Sequence, residues 1–467
     1  MFYNNIQIHN LGPIKNTNIQ LRNLTVFVGQ NNTGKTYLLS CLYFFQSSDF
    51  KKILPDIIKK NVENFNFQDK NFLNNSQEIL INILKDIESL DIFSIMNFNT
   101  NHTSKSSFLF DIPQLKKSDI LVIIEYFNSN PYVKSLIQTL FDSKKNKTIF
   151  ELLNLPNNEK FQKEENYEKL SKFLVSVFNQ KSAHEIFLKS FIFKFFNLSL
   201  DEDSKNSYLF PVERAGINKF FYESITKLTD TNIALKSIIE FKVKLNNDTL
   251  KDKFEKTEFY SIARELEENL FNGGKIKNEK VSENNSQIVF YNKNEEKFTL
   301  ENFSSSINEL SIFILYLKYY AEKEHVIFID EPELSLHPDS QRILVRYLSQ
   351  LSKMGLKFII ITHSDYIVKE LNNLICINQF SEKEFSYLNT YYNNETKISF
   401  EDTIVYSIFE SNNETIIEKA HESKYGYEEK LFTKAINSIT SDSNAIFSLL
   451  ESSDEKININ LKELYAE

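Results

Sequence analysis

Residues Gly29 to Thr36 read Gly-Gln-Asn-Asn-Thr-Gly-Lys-Thr, which fits G-x-x-x-x-G-K-T at every defined position. The run before it, 24–29, is short, β-branched and aromatic, as a strand would be. The run after it, 36–45, carries apolar residues at helical spacing. Strand, loop and helix in that order form the context in which this spacing cradles phosphate. Glycine lets the backbone curl so that its N–H groups converge on an anion, at a helix N-terminus that already favours negative charge. Gly29, Asn31, Asn32, Thr33 and Gly34 would supply that curl. Lys35 would reach the β- and γ-phosphates, and the Thr36 hydroxyl would ligate Mg²⁺.

A second stretch completes this chemistry. Val326-Ile-Phe-Ile329 is a fully apolar run that ends in Asp330-Glu331-Pro332-Glu333. An acid at the C-terminal end of such a strand can hold Mg²⁺, which assigns Asp330. Glu331, one residue on, can polarise an attacking water. Standing alone, the acids would read as a solvated turn; beside a phosphate loop they read as the other half of a site. A second apolar run, 358–361, ends in Thr362-His363-Ser364. A histidine just past a central strand can hydrogen-bond a γ-phosphate or the water, and that assigns His363.

The elements that must hold these residues follow from the pattern. The chain has 467 residues, beyond one ordinary core at ~100–200 residues per domain. A hydrophobic fraction of 41% with 25% charged residues is that of a globular chain. No uncharged apolar span reaches ~18 residues, and the first residues lack the pattern of a secretory signal. Cys41 and Cys376 sit in apolar runs and read as buried free thiols, so a cytoplasmic location without a membrane is expected. A net charge of −9 gives no overall pull toward nucleic acid.

Residues 6–8 and 18–21 alternate as paired strands across a Gly12-Pro13 turn, leading into the strand before the loop. Residues 51–206 are rich in Phe, Leu, Lys and Asn, and predict an inserted helical domain, with helices over 76–90 and 167–178. Residues 207–284 form a return segment: a strand at 208–212 and a helix at 257–271 ended by Gly273-Gly274. Residues 285–380 predict a hairpin (286–291 with 297–300), a helix at 306–324, a strand at 326–329 and a helix at 341–353. A strand at 356–361 and a helix at 365–372 follow. Strands alternating with helices argue for a parallel α/β sheet. Residues 381–467 are polar and weakly periodic, and predict a small appendage.

Taken together, 10–14 with the phosphate loop, 330–338 and 361–364 resemble the ABC-type ATPase head, in its RecF/SMC-like and OLD-like branch. The resemblance implies an α/β P-loop head of mixed sheet flanked by helices, divided between 1–50 and 285–380, with an inserted arm. It implies ATP and Mg²⁺ as cofactors, Lys35 and Thr36 on the phosphates and metal, Asp330 on Mg²⁺, Glu331 as base and His363 as switch. The D-loop of the family is similar at Ser335 to His337. The family's signature loop corresponds to Phe303-Ser304-Ser305-Ser306, where Ser306 stands in place of the expected glycine. Ser304 and Ser305 would then meet the nucleotide of a second copy; a plain helix N-cap by Ser305 or Ser306 is compatible with that role. Pro211-Val-Glu213-Arg214 resembles a proline–acid–arginine stretch of this branch. Arg214 would contact nucleotide or order the loop, or form a structural ion pair.

Such heads sandwich two nucleotides between two copies, so a homodimer or higher homo-oligomer is implied. Residues 380–467 hold no Asp-x-Asp of the Toprim nuclease type found in OLD-like proteins. The layout resembles the ATPases of Septu and PARIS anti-phage defence systems, which implies a sensor or regulatory subunit beside a separately encoded nuclease or toxin. The alternative is a RecF-like repair ATPase that clamps DNA in a basic groove, and a transporter ATPase is a third reading.

Overall fold

The computed structural model describes residues 5–67, 72–90, 107–110, 114–115, 180–196, 198, 206–218, 231–387, 392–412 and 414–451. The chain opens with β1 (Asn5–Leu11), β2 (Ile14–Gln20) and β3 (Leu24–Gly29). Next come α1 (Lys35–Phe44), α2 (Ser48–Asn64), α3 (Phe72–Glu88), β4 (Ser107–Phe110) and α4 (Gln180–Phe195). After these follow β5 (Ser207–Phe210), α5 (Arg214–Asn218), α6 (Ile233–Leu250) and α7 (Tyr260–Leu270). Strands β6 (Lys275–Lys280), β7 (Ser286–Tyr291) and β8 (Lys297–Thr299) lead into α8 (Ser305–Tyr319). Then come β9 (Val326–Asp330), α9 (Pro338–Lys353), β10 (Lys357–Thr362), α10 (Asp365–Asn378) and α11 (Glu382–Phe385). The described chain closes with β11 (Thr403–Ser411), β12 (Glu414–Lys419), β13 (His421–Ser423), β14 (Gly426–Glu428) and α12 (Lys430–Glu451).

Nine strands form one mixed sheet in the order β4-β1-β2-β12-β11-β3-β10-β9-β5. From β11 to β5 neighbouring strands run parallel, while β1, β2 and β4 are antiparallel. Strands β3, β9 and β10 are buried at every residue, as a parallel sheet covered on both faces requires. Their side chains alternate between two cores. Phe27, Phe328, Ile359 and Ile361 enter one with α1–α4, and Val26, Val28, Ile327, Ile329 and Ile360 enter the other with α6–α10.

The fold is the mixed α/β arrangement expected, with differences of detail. Within 51–206, the described residues form α2, α3, α4 and β4; β4 pairs with β1 as the edge of the main sheet. The expected helix at 167–178 lies outside the described residues. The described part of 381–467 is not a separate appendage: β11 lies beside β3 and β12 beside β11, inside the main sheet. Periodicity could not show this, because the partner strand is almost 400 residues earlier in the chain. Strand β6 is polar (Lys-Ile-Lys-Asn-Glu-Lys) and carries no alternating signal, yet it pairs with β7. Helix α10 runs past Asn372 to Asn378, because the Asn372 side chain is engaged by the Tyr427 backbone in both directions instead of breaking the helix. Cys41 is buried and Cys376 only partly so; both are free. Among the described residues no helix is long and apolar enough to cross a membrane.

Candidate nucleotide site

The strand order brings the site together. The phosphate loop leaves the C-terminal end of β3, the acids leave that of β9 and His363 follows that of β10. With β10 between the other two, three loops converge on one rim of the sheet, where open parallel sheets bind ligands.

The loop has the backbone its glycines allow. Gly34 takes φ 81° at the N-cap of α1, and Asn32 takes φ 62°. A side chain on Gly34 would also stand 2.8 Å from Pro13 Cγ. Gly29 is constrained differently: a Cβ there would run into the Ile408 carbonyl of β11. The strand missing from the sequence reading therefore explains why the loop's first residue is glycine.

The loop walls a cavity of about 540 Å³, lined by Pro13, Asn31–Tyr37, Asp330, Glu331 and His363. Thr36 Oγ1 donates to Asp330 Oδ2 at 2.9 Å, which joins the two halves directly. Lys35 is 6% exposed and its ammonium folds back onto the Gln30 carbonyl. Burial lowers the Lys35 pKa, opposed by Asp330, Glu331 and Glu333. Burial raises Asp330 to about 6, against the Thr36 hydrogen bond and with help from Glu331. His363 Nε2 lies 3.5 Å from Glu331 Oε1. Its pKa is lowered by burial and by Lys35, opposed by Glu331, so a neutral ring is favoured. The His363 backbone N–H donates to Glu333 Oε1 at 2.6 Å, which ties the β10 loop to the acidic turn.

Glu331 itself has φ 48°, an uncommon backbone for glutamate. Arg214 holds it there. The guanidinium is 1% exposed and donates to the carbonyls of Pro211 (2.9 Å), Asp330 (2.7 Å) and Glu331 (2.8 Å). Its Nε lies 3.1 Å from Glu309 Oε2 of α8. Arg214 is thus not in the cavity. Of the readings open from sequence, the structure shows the ion pair and a grip on the backbone beneath the acids. Charge and position alone could not tell these roles apart.

Ser304 and Ser305 also lie outside the cavity, exposed at the start of α8. The N-cap is Ser304, not Ser305 or Ser306; its hydroxyl accepts from Ile307 N at 3.4 Å. Ser335 of the D-loop turn is exposed at φ 61°. Two lining residues were missed from sequence, Pro13 and Tyr37. Tyr37 directly follows the motif and Pro13 lies in the 10–14 stretch that carries the resemblance, and those were the available signals.

The donor set fits ATP with Mg²⁺. A hydroxyl and a carboxylate meet where a cation would sit, a buried ammonium stands beside them, and a curled N–H loop forms the floor.

Comparison with known proteins agrees at the level of family. No curated protein sequence matches the chain. Solved structures that match include an SMC head bound to the C-terminal winged-helix domain of ScpA, at 10% identity and TM-score 0.37, covering 91% of this chain and 99% of that one. An SMC head domain from Thermotoga maritima matches at 10% identity and TM-score 0.32, covering 90% and 100%. An SMC head with an extended coiled coil, from Pyrococcus furiosus and bound to the C-terminal domain of ScpA, matches at 11% and TM-score 0.31, covering 94% and 99%. Superpositions this loose carry no weight beside the strand order and the converging loops. Residues 1–368 match the AAA ATPase domain, and the chain belongs to that family.

Proposed function

We propose that the chain binds and hydrolyses ATP in the cavity between the phosphate loop and the acidic strand. The observation that carries this is the Thr36–Asp330 hydrogen bond at 2.9 Å, which brings together residues 294 positions apart. In this reading the N–H groups of 31–36 and the Lys35 ammonium bind the phosphates, and Pro13 and Tyr37 wall the nucleoside. Thr36 and Asp330 would hold Mg²⁺, which when bound neutralises phosphate charge. Glu331 takes the proton of the attacking water, and His363 beside it orients that water. Ser304 and Ser305, exposed on α8, complete the site of a second copy, so that ATP joins a homodimer. Glu331→Gln should then accumulate an ATP-dependent dimer. A light-scattering mass that ATP leaves unchanged would remove the sandwich.

At the level of biology, the reading is a sensor or regulatory subunit of a multi-protein anti-phage system whose nuclease or toxin is a separate chain. It is supported by the layout of motifs and by the lack of an Asp-x-Asp in 380–467. Purification of the tagged chain from its host tests it. A stoichiometric nuclease or toxin supports the reading; recovery with DNA and replication proteins replaces it with a RecF-like repair ATPase.

A further inference from the structure

Helix α8 is buried from Ile307 to Lys318, and its first turn, Ser304–Ser306, reaches the surface. That turn is bonded to the next: the Ser304 carbonyl accepts from Asn308 N at 3.1 Å. Asn308 and Glu309 then meet α5. Asn308 Nδ2 donates to the Ala215 carbonyl at 3.1 Å, and Asn218 Nδ2 donates to the Asn308 carbonyl at 2.8 Å. Glu309 offers Arg214 both its carbonyl, 3.2 Å from Nε, and its carboxylate. The far side of the same guanidinium grips the Asp330 and Glu331 carbonyls. An unbroken polar path therefore runs from the exposed serine turn to the backbone of the acid pair.

The joint is under-satisfied. Glu309 Oε2 meets Arg214 as an ion pair rather than an aligned hydrogen bond, and among the described residues the side-chain carbonyls of Asn218 and Asn308 have no hydrogen-bond partner. Buried polar atoms left unpaired are costly, which sets this joint apart from the close-packed remainder of α8. At the other end of the path, Glu331 is held at φ 48°, an uncommon backbone for glutamate.

We propose that Arg214 and Glu309 form a positioning relay, through which engagement of the Ser304–Ser306 turn by a second copy sets the backbone of Glu331 and so its competence in hydrolysis. The inference rests on the ATPase reading above and adds a control to the same site. Neither residue touches substrate; both act through Glu331.

The test uses the full-length chain with Glu309→Gln and Arg214→Lys. Three quantities are read: affinity for a fluorescent ATP analogue, steady-state turnover, and hydrogen exchange of a peptide spanning 328–334 with and without ATP. The relay predicts affinity within ~3-fold of wild type and kcat lower by ~10- to 100-fold. It also predicts that the ATP-induced change in exchange is lost. Wild-type kcat in Glu309→Gln overturns the relay, as does a proportional loss of affinity and turnover. If Glu309→Gln does not fold, Arg214→Lys is judged by the same criteria. Failure of both to fold assigns the pair a purely structural role. A wild-type chain without turnover, or turnover indifferent to Lys35→Ala, defeats the ATPase reading itself and is distinguishable from these results.

Discussion

The two faces of the main sheet are built differently. On one, α2, α3 and α4 bury no charged side chain among the described residues, and rings do the packing. Phe45 stands 5.0 Å from Phe110 and 5.8 Å from Phe196, and Phe50 stands 4.9 Å from Phe196, ring centre to ring centre. On the other face, ion pairs between helices bury at least their carboxylate. Lys318 of α8 meets Glu267 of α7 at 2.7 Å, with side-chain exposures of 3% and 0%. Glu370 of α10 accepts from Arg342 (2.9 Å) and Arg346 (2.5 Å) of α9. Arg214 and Glu309 belong to the same face.

Ring packing is strong but weakly directional, so it tolerates small slides of one helix on another. A buried ion pair contributes little net stability, yet leaving one partner unpaired is expensive, so it fixes register. The helices that must be placed against the acidic strand are those on the charged face. The aromatic face holds the sheet from behind.

The largest effect is expected where the charged face meets the cavity. Glu331→Gln should lower turnover by ~10²- to 10⁴-fold while nucleotide still binds, as seen by comparing hydrolysis with equilibrium titration. Next, Glu267→Ala strands the Lys318 ammonium and should cost about 4 kcal/mol in urea unfolding. The double change Glu267→Leu with Lys318→Met should recover only part of it, because the Ile276 N–H and Arg264 also lose Glu267. Phe50→Ala, on the aromatic face, should cost about 3 kcal/mol with nucleotide affinity unchanged; loss of affinity would show that this face also tunes the site.

The smallest effect concerns pH. His184 is buried between Phe67 and Phe72, accepts or donates at Ser76 Oγ (2.8 Å), and burial lowers its pKa to about 4. Its folded pKa lies below the unfolded value, so the stability it contributes is present above pH 6.5 and is lost as pH falls toward 4. His184→Phe should flatten this slope by about 2 kcal/mol between pH 6.5 and 4.5, measured by urea midpoints. An unchanged slope would place the acid sensitivity elsewhere, with His325 on the other face the next group to vary.

The position of the motifs was legible because it is local. Gly29–Thr36, Asp330–Glu331 and His363 sit at strand ends whose apolar runs identify themselves, and Asn31–Thr36, Asp330, Glu331 and His363 line one cavity, while Gly29 packs against Ile408 behind it. What escaped was decided by distant partners. Strand β11 is apolar enough to be a strand, but its place beside β3 depends on backbone pairing with Leu24–Gly29. Helix α10 continues past Asn372, where the expected helix ends, with Tyr427 satisfying the Asn372 side chain. Arg214 was identified as important, but its direction was set by the carbonyls of Asp330 and Glu331.

The most direct test of a single ATP site built from β3, β9 and β10 is Mg²⁺-dependent ATP turnover by the purified chain, measured alongside ATP affinity in wild type, Lys35→Ala and Glu331→Gln. The account predicts turnover in wild type alone, with binding retained by Glu331→Gln and lost in Lys35→Ala. Equal turnover in all three, or binding indifferent to Lys35, would contradict it.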